Sequence, residues 1–238
     1  MSAPKNIVIL TGSGISAESG VATFRDADGV WKKYDYREVA TPEGFAANPD
    51  LVHEFYNERR RGLSSVQPNS AHIALVDLEA GLEREGGSLT LVTQNVDDLH
   101  ERAGSNAIVH MHGELKKSVC AICGDVREAS GDLSVDLACS VCGNQGGMRP
   151  YVVWFGEMPR FMDEIMDAIH AADLFVSIGT SGSVYPAAGF AGEARAVGIP
   201  AMELNLEPSD NAHIFSDCRY GPATKVVPAW VSDVLARD

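Results

Sequence analysis

The strongest constraint on how this chain can fold comes from its cysteines. Cys120-Ala-Ile-Cys123 and Cys139-Ser-Val-Cys142 form two C-x2-C pairs separated by residues 124–138. This is the spacing of sites in which four thiolates enclose one zinc ion. Each pair brings two thiolates to the ion, and two such knuckles complete a tetrahedron. Gly124 and Gly143 stand directly after the second ligand of each pair, where the backbone must turn sharply. The alternative reading of the same spacing is a pair of redox motifs or of buried free thiols. Four sulfur ligands leave no open coordination position, so the ion is expected to be structural and not to activate water. Segment 116–147 carries few apolar residues and is expected to need the metal to fold.

The rest of the chain sets broader limits. Its 238 residues suffice for one full-sized domain with a small insert. Apolar residues at 45% and charged residues at 22% describe an ordinary globular protein. No basic start runs into an apolar stretch of signal-peptide length, and nothing approaches a membrane span, so a cytoplasmic monomer is expected. A net charge of −14 argues against nucleic acid, because phosphate binding needs a basic face. Acidity could favour basic, lysine-rich partners, although it more often serves solubility alone.

Apolar runs at 6–10, 89–93, 174–178, 201–205 and 224–227 read as buried strands. Helical periodicity falls between them at 69–85, 161–172 and 187–197. The alternation implies an α/β fold, a Rossmann-like parallel sheet with helices on both faces. Residues 24–67 and 116–147 interrupt it. The expected division is a sheet part at 1–30, 68–115 and 148–238, with a smaller module from 31–67 (helical) and 116–147 (zinc).

The first strand runs into Thr11-Gly-Ser-Gly-Ile-Ser-Ala-Glu-Ser-Gly20, where Gly12, Gly14 and Ala17 fit the G-x-G-x-x-G/A fingerprint of dinucleotide sites. A dehydrogenase would continue with a second strand and an acidic ribose ligand about 20 residues on. Here the long insertion follows, so the loop suits NAD while its context disfavours hydride transfer. Thr93-Gln94-Asn95-Val96-Asp97 starts at the C-terminal end of a strand, where α/β folds place ligands, and His112-Gly113 lies shortly before the first cysteine.

Taken in series, Gly12 to Gly20, Thr23-Phe24-Arg25, Gln94-Asn95-Val96-Asp97, His112-Gly113, the paired cysteines and Val153-Trp-Phe-Gly-Glu157 resemble the sirtuins, NAD-dependent protein-lysine deacylases. The resemblance covers essentially the whole chain. It implies that Gly12, Ser13, Gly14, Ile15, Ser16, Ala17, Glu18, Thr23, Phe24, Arg25 and Trp31 wrap the pyrophosphate, ribose and nicotinamide of NAD. It assigns Gln94, Asn95, Val96 and Asp97 to the nicotinamide and its ribose. Gly179, Thr180, Ser181, Asn205, Leu206, Glu207 and Ala223 fall to the adenosine half. It makes His112 the catalytic base, with Asn95 and Asp97 beside it. Ser13 stands where many relatives have alanine, a small-for-small exchange, and Tyr151 replaces a different residue of several relatives.

The implied reaction consumes NAD. The acyl oxygen of an acyl-lysine attacks the ribose carbon as nicotinamide leaves. A neutral His112 then draws a proton through the ribose hydroxyls, and the products are free lysine, nicotinamide and O-acyl-ADP-ribose. The implied partners are acylated-lysine proteins or peptides, bound extended between the segments after Arg149 and after Thr180. His72, His100 and His110 are read as hydrogen-bonded core or loop residues.

In the helical insertion, Tyr56 and Arg59 are spaced i, i+3 and share a helix face. They resemble the Tyr-x-x-Arg pair with which class III sirtuins grip the carboxylate of succinyl- or malonyl-lysine, a role suited to the planar guanidinium fork. A dual desuccinylase and deacetylase is therefore expected. The competing readings are a plain deacetylase, a protein ADP-ribosyltransferase, a zinc-containing dehydrogenase and a non-catalytic NAD sensor.

Overall fold

The computed structural model describes residues 4–23 and 34–236. Within them the strands in chain order are β1 (Asn6–Thr11), β2 (Ser88–Thr93), β3 (Ile108–His110), β4 (Gly113–Cys120), β5 (Val126–Glu128), β6 (Met148–Val152), β7 (Leu174–Ile178), β8 (Ala201–Asn205) and β9 (Asp217–Tyr220). Six of them form one sheet in the order β3-β2-β1-β7-β8-β9, parallel throughout.

The apolar runs form the central strands because both faces of the sheet are covered. On one face Ile7, Ile9, Leu89 and Leu91 pack with Leu75 and Leu78 of helix Ser70–Arg84 and with Trp230 and Val231 of helix Ala223–Leu235. On the other, Val8, Leu10 and Phe175 pack with Ile165 and Ile169 of helix Met162–Ala171 and with Phe190 and Ala194 of helix Phe190–Ala196.

The chain leaves β1 for β2 on one side and returns to β7 on the other, so the strand order reverses between β1 and β7. A crevice opens outside the carboxyl ends of strands at such a switch point. Gly12 directly follows β1 and Gly179 directly follows β7, and they meet there: Gly12 donates its N–H to the Ile178 carbonyl at 2.9 Å, and Gly14 to that of Gly179 at 2.9 Å.

One expected strand is corrected. Residues 224–227 lie in helix Ala223–Leu235, where Val227, Trp230, Val231 and Val234 are the buried residues. Their spacing of 3, 4 and 7 is one helical stripe, and the short run Thr224-Lys-Val-Val227 with its two β-branched valines does not distinguish it from a strand. The edge strand is instead the polar β9, Asp217–Tyr220.

β4, β5 and β6 form a second, antiparallel sheet in the order β5-β4-β6. Helices Pro42–Ala47 and Pro49–Gly62 pack beside it, each opened by a capping side chain and a proline: Thr41 accepts from the Gly44 N–H and Asn48 from that of Leu51. Buried Arg60 donates through Nε to the Leu115 carbonyl at 2.8 Å. Asn57 exchanges two hydrogen bonds with the Leu133 backbone, at 2.8 and 2.9 Å. The helical insertion and the cysteine segment are thus tied directly to each other.

Candidate functional site

A cavity of about 670 Å³ lies between the switch-point crevice and the smaller sheet. The glycine loop, the segment after β2, the start of β4, the segment after β6 and the ends of β7 and β8 all reach it. Gly12, Ser13, Gly14, Ala17, Glu18, Thr23, Gln94, Asn95, Val96, Gly179, Thr180, Ser181, Asn205, Leu206, Glu207, Ala223, His112, Tyr56 and Arg59 line this one space. Ile15, Ser16 and Asp97 sit just beneath its floor, each buried. Phe24, Arg25 and Trp31 lie outside the described residues.

The glycines are required for backbone packing within the protein. A Cβ at Gly14 would stand 2.7 Å from the Gly179 Cα, and one at Gly12 2.7 Å from the Gly179 carbonyl oxygen. Only glycines let the first loop nest against the end of β7. The carboxylate of Glu18 accepts from the Thr224 N–H at 2.9 Å and its hydroxyl at 2.8 Å, which docks the start of helix Ala223–Leu235 on the loop.

Hydrogen bonding fixes the orientation of Asn95. Its backbone N–H donates to the Thr93 hydroxyl at 3.0 Å. Its side-chain NH2 donates to the Gly12 carbonyl at 3.1 Å and to Ser16 Oγ at 3.2 Å. With both amide hydrogens committed, the side-chain carbonyl is the group left for the cavity. Asp97 accepts from the Leu99 N–H at 3.1 Å and from the Ser16 hydroxyl at 3.0 Å. Burial raises its carboxyl above the ordinary range, and these two donors partly counter the shift.

His112 has a defined tautomer. Its Nδ1 lies 3.1 Å from the Gln94 carbonyl oxygen, which can only accept, so Nδ1 carries the proton and Nε2 is a bare acceptor. Burial lowers its pKa below 6.5, outweighing that hydrogen bond, and the ring is neutral at neutral pH. At Gly113 φ is +81° and a Cβ would meet the Tyr151 carbonyl oxygen at 2.0 Å. The residue after His112 must therefore be glycine for β4 to pair with β6.

Also lining the cavity, the Tyr56 hydroxyl accepts from the Trp154 indole N–H at 3.0 Å. Burial pushes the phenol well above its ordinary range, so it stays protonated. The Arg59 guanidinium lies 3.4 Å above the Phe55 ring centroid and donates to the Phe55 carbonyl at 2.7 Å. Its buried Nε has no partner, and among the described residues no carboxylate lies within ion-pair distance.

Trp154, Arg149 and Glu157 join the Tyr56 contact as one connected group, although the sequence assigned them no role. Arg149 pairs with Glu157 at 2.7 Å and lies 3.7 Å above the Trp154 ring centroid, while Glu157 accepts from the Trp154 N–H at 2.8 Å. The Val153 to Glu157 run was the signal for Trp154 and Glu157, whereas Arg149 lies outside it. Tyr151 carries the Arg160 guanidinium 3.8 Å from its ring centroid, which gives that substitution a packing role.

The four cysteine sulfurs fit a tetrahedral ion. Cys120 to Cys142 and Cys123 to Cys139 are both 3.7 Å apart, and all four ligand atoms lie within 4.8 Å of one another. Zn–S bonds of about 2.3 Å place tetrahedral sulfurs roughly 3.8 Å apart. Arg127 donates to Cys139 Sγ at 3.2 Å, as suits a thiolate.

The "Sir2 family" model matches residues 12–186. A Caulobacter vibrioides protein named NAD-dependent protein deacylase is 62% identical over 231 residues, covering 97% of each chain. A Leishmania major NAD-dependent protein deacylase, SIR2rp3, is 52% identical over 99% of this chain and 98% of its own. A solved Sir2 homologue–NAD complex shares 39% identity at a TM-score of 0.86, covering 97% of this chain and 90% of that one. A Sir2 protein bound to acetylated peptide shares 26% identity at a TM-score of 0.82, covering 97% and 93%. The family model spans most of the chain and the relatives match it almost end to end, and this chain belongs to the Sir2 family.

Proposed function

We propose that the protein is an NAD-dependent protein-lysine deacylase that accepts acidic acyl groups, succinyl and malonyl, as well as acetyl. The observation that supports the acidic range is Arg59. A half-buried guanidinium that faces the cavity and whose buried Nε meets no protein acceptor is a costly arrangement without a further countercharge. An acyl carboxylate would supply the missing countercharge and accept hydrogen bonds from the fork, with the Tyr56 hydroxyl as second donor. An acetyl group has nothing to offer Arg59 and would use only the apolar walls, Phe55, Val152 and Trp154.

When bound, NAD supplies the electrophilic ribose carbon and the nicotinamide leaving group. The chain's residues hold and orient. The Asn95 carbonyl, directed into the cavity by the two acceptors that fix its NH2, is a fixed negative dipole for charge that grows on the ribose. His112, with Nε2 as its only free acceptor, takes a proton from a ribose hydroxyl, and the Gln94 carbonyl holds the proton that remains on Nδ1. The thermodynamic logic requires the neutral ring that burial provides. The cysteine module closes the far end of β4, the strand that begins directly after His112.

The test uses matched peptides bearing acetyl-, succinyl- or malonyl-lysine, with and without NAD. The double variant Tyr56→Phe, Arg59→Met is expected to lose desuccinylation by on the order of a hundredfold, the worth of a charged hydrogen bond plus a neutral one. Deacetylation should change by only a few-fold. Equal loss of both activities would overturn the acid-acyl reading and leave a plain deacetylase.

A further inference from the structure

His72 lies in the first turn of helix Ser70–Arg84, completely buried beneath the cavity floor. It belongs to a chain of hydrogen bonds whose polarity can be followed from both ends. Its Nδ1 lies 3.3 Å from the Asn69 backbone nitrogen, which can only donate, so the ring proton sits on Nε2. Nε2 faces Ser16 Oγ at 3.5 Å. From the other direction, the Ser16 hydroxyl donates its only proton to Asp97 and accepts from the Asn95 NH2. It therefore meets His72 as an acceptor, the partner that Nε2–H requires. Burial lowers the His72 pKa to about 4, so this tautomer holds across the working range.

The same turn grips the loop at a second point. The Asn69 side-chain NH2 donates to the Ile15 carbonyl at 2.8 Å and to Ser19 Oγ at 3.0 Å. At 3.5 Å the His72–Ser16 contact is at the long end for a hydrogen bond. Its consequence is direction more than stability: it fills the lone pair that would otherwise let Ser16 rotate and release the Asn95 amide.

We infer that His72 is a positioning residue, acting through Ser16 to hold the Asn95 carbonyl toward the nicotinamide ribose. The inference rests on the reading of Asn95 as facing that ribose. It gives a function to a histidine whose burial alone would mark it as core.

Two substitutions separate the roles of the two ring nitrogens. In His72→Asn the amide oxygen can take the Asn69 N–H, but nothing occupies the Nε2 position. In His72→Gln the amide can cap the helix in the manner of a capping box and still present an N–H to Ser16. His72→Asn is expected to bind ADP-ribose as the parent does and to melt within a few degrees of it. Its kcat should fall on the order of ten- to a hundredfold, the effect of a slightly displaced reacting group. His72→Gln should return to within a few-fold of the parent. Equal, parent-like turnover of both variants would overturn the proposal, as would losses that merely track the fraction folded. Asn95→Ala is the control for the underlying reading. If it turns over normally, the assignment of Asn95 fails and the role of His72 falls with it. If it is inactive while His72→Asn is not, the inference about His72 alone fails.

Discussion

The Trp154 indole N–H donates to the Tyr56 hydroxyl oxygen at 3.0 Å, which leaves the phenolic proton of Tyr56 for a guest in the cavity. Trp154 is itself fixed: Arg149 stacks on its ring, and Glu157 holds both its backbone N–H and Arg149. Trp154→Phe keeps the aromatic wall and removes the donor. Succinyl-lysine turnover should then fall about five- to tenfold in kcat/KM, the worth of one neutral hydrogen bond, with acetyl-lysine turnover much less affected. Parallel losses on the two substrates would show that Trp154 serves only as packing.

The pH–rate profile should report His112. The active ring is neutral, and burial lowers its pKa from 6.5. The acid limb of kcat/KM is therefore expected below 6.5, with activity constant above it and falling as pH drops through the lowered value. A midpoint above 6.5 would mean that a carboxylate or another base, and not a desolvated imidazole, limits the reaction.

Stability should show its own acid dependence. His72 has a pKa of about 4 in the folded protein against 6.5 unfolded, and that of His100 is also well below 6.5, both through burial. The neutral rings contribute their full stability above pH 6.5. That contribution is lost as pH falls from 6.5 toward 4, because the unfolded chain takes up protons first. For His72 the loss is on the order of 3 kcal/mol. His110 acts in the opposite sense: burial lowers its pKa, but its contact with Glu101 raises it further, so its contribution is greatest at low pH. Urea unfolding at pH 7.5 and 5 should show a clear drop in the parent and a smaller one in His72→Gln. An equal drop in both would remove His72 as its source.

The fold was legible where burial on both faces forced apolar runs, as in Asn6–Thr11 and Leu174–Ile178, and where one helical stripe was long, as in Ser70–Arg84. It was illegible at the edge of the sheet. Asp217–Tyr220 is polar and half exposed, and its pairing with β8 is mostly a matter of backbone hydrogen bonds. The stripe of Val227, Trp230, Val231 and Val234 was misread because its first turn resembles a strand. In the site, the loop motifs were legible through their resemblance to the sirtuins, whose motif residues this chain carries in series. Arg149, which acts by stacking on Trp154, and His72, which acts through Ser16, were not. Their roles depend on contacts between segments 5 and 56 residues apart, and such contacts exist only once the chain has folded.

The cysteine module should come apart without its metal while the main sheet survives. Its own buried cluster is small, Cys120, Cys139 and Met148, with Ile122 and Val141 exposed at its tip. So little apolar burial does not offset the chain entropy of the segment. Cys139→Ser removes one ligand and the acceptor of the Arg127 contact. Zinc content should fall from one per chain toward zero, and amide exchange should accelerate across the backbone near Cys120 and Cys139. Strands β1, β2 and β7 should stay protected. Activity should fall in the same proportion as zinc, because β4, which ends at Cys120, begins at the Gly113 that follows His112. A stable, zinc-free and fully active variant would show that the module is not needed to hold His112 in place.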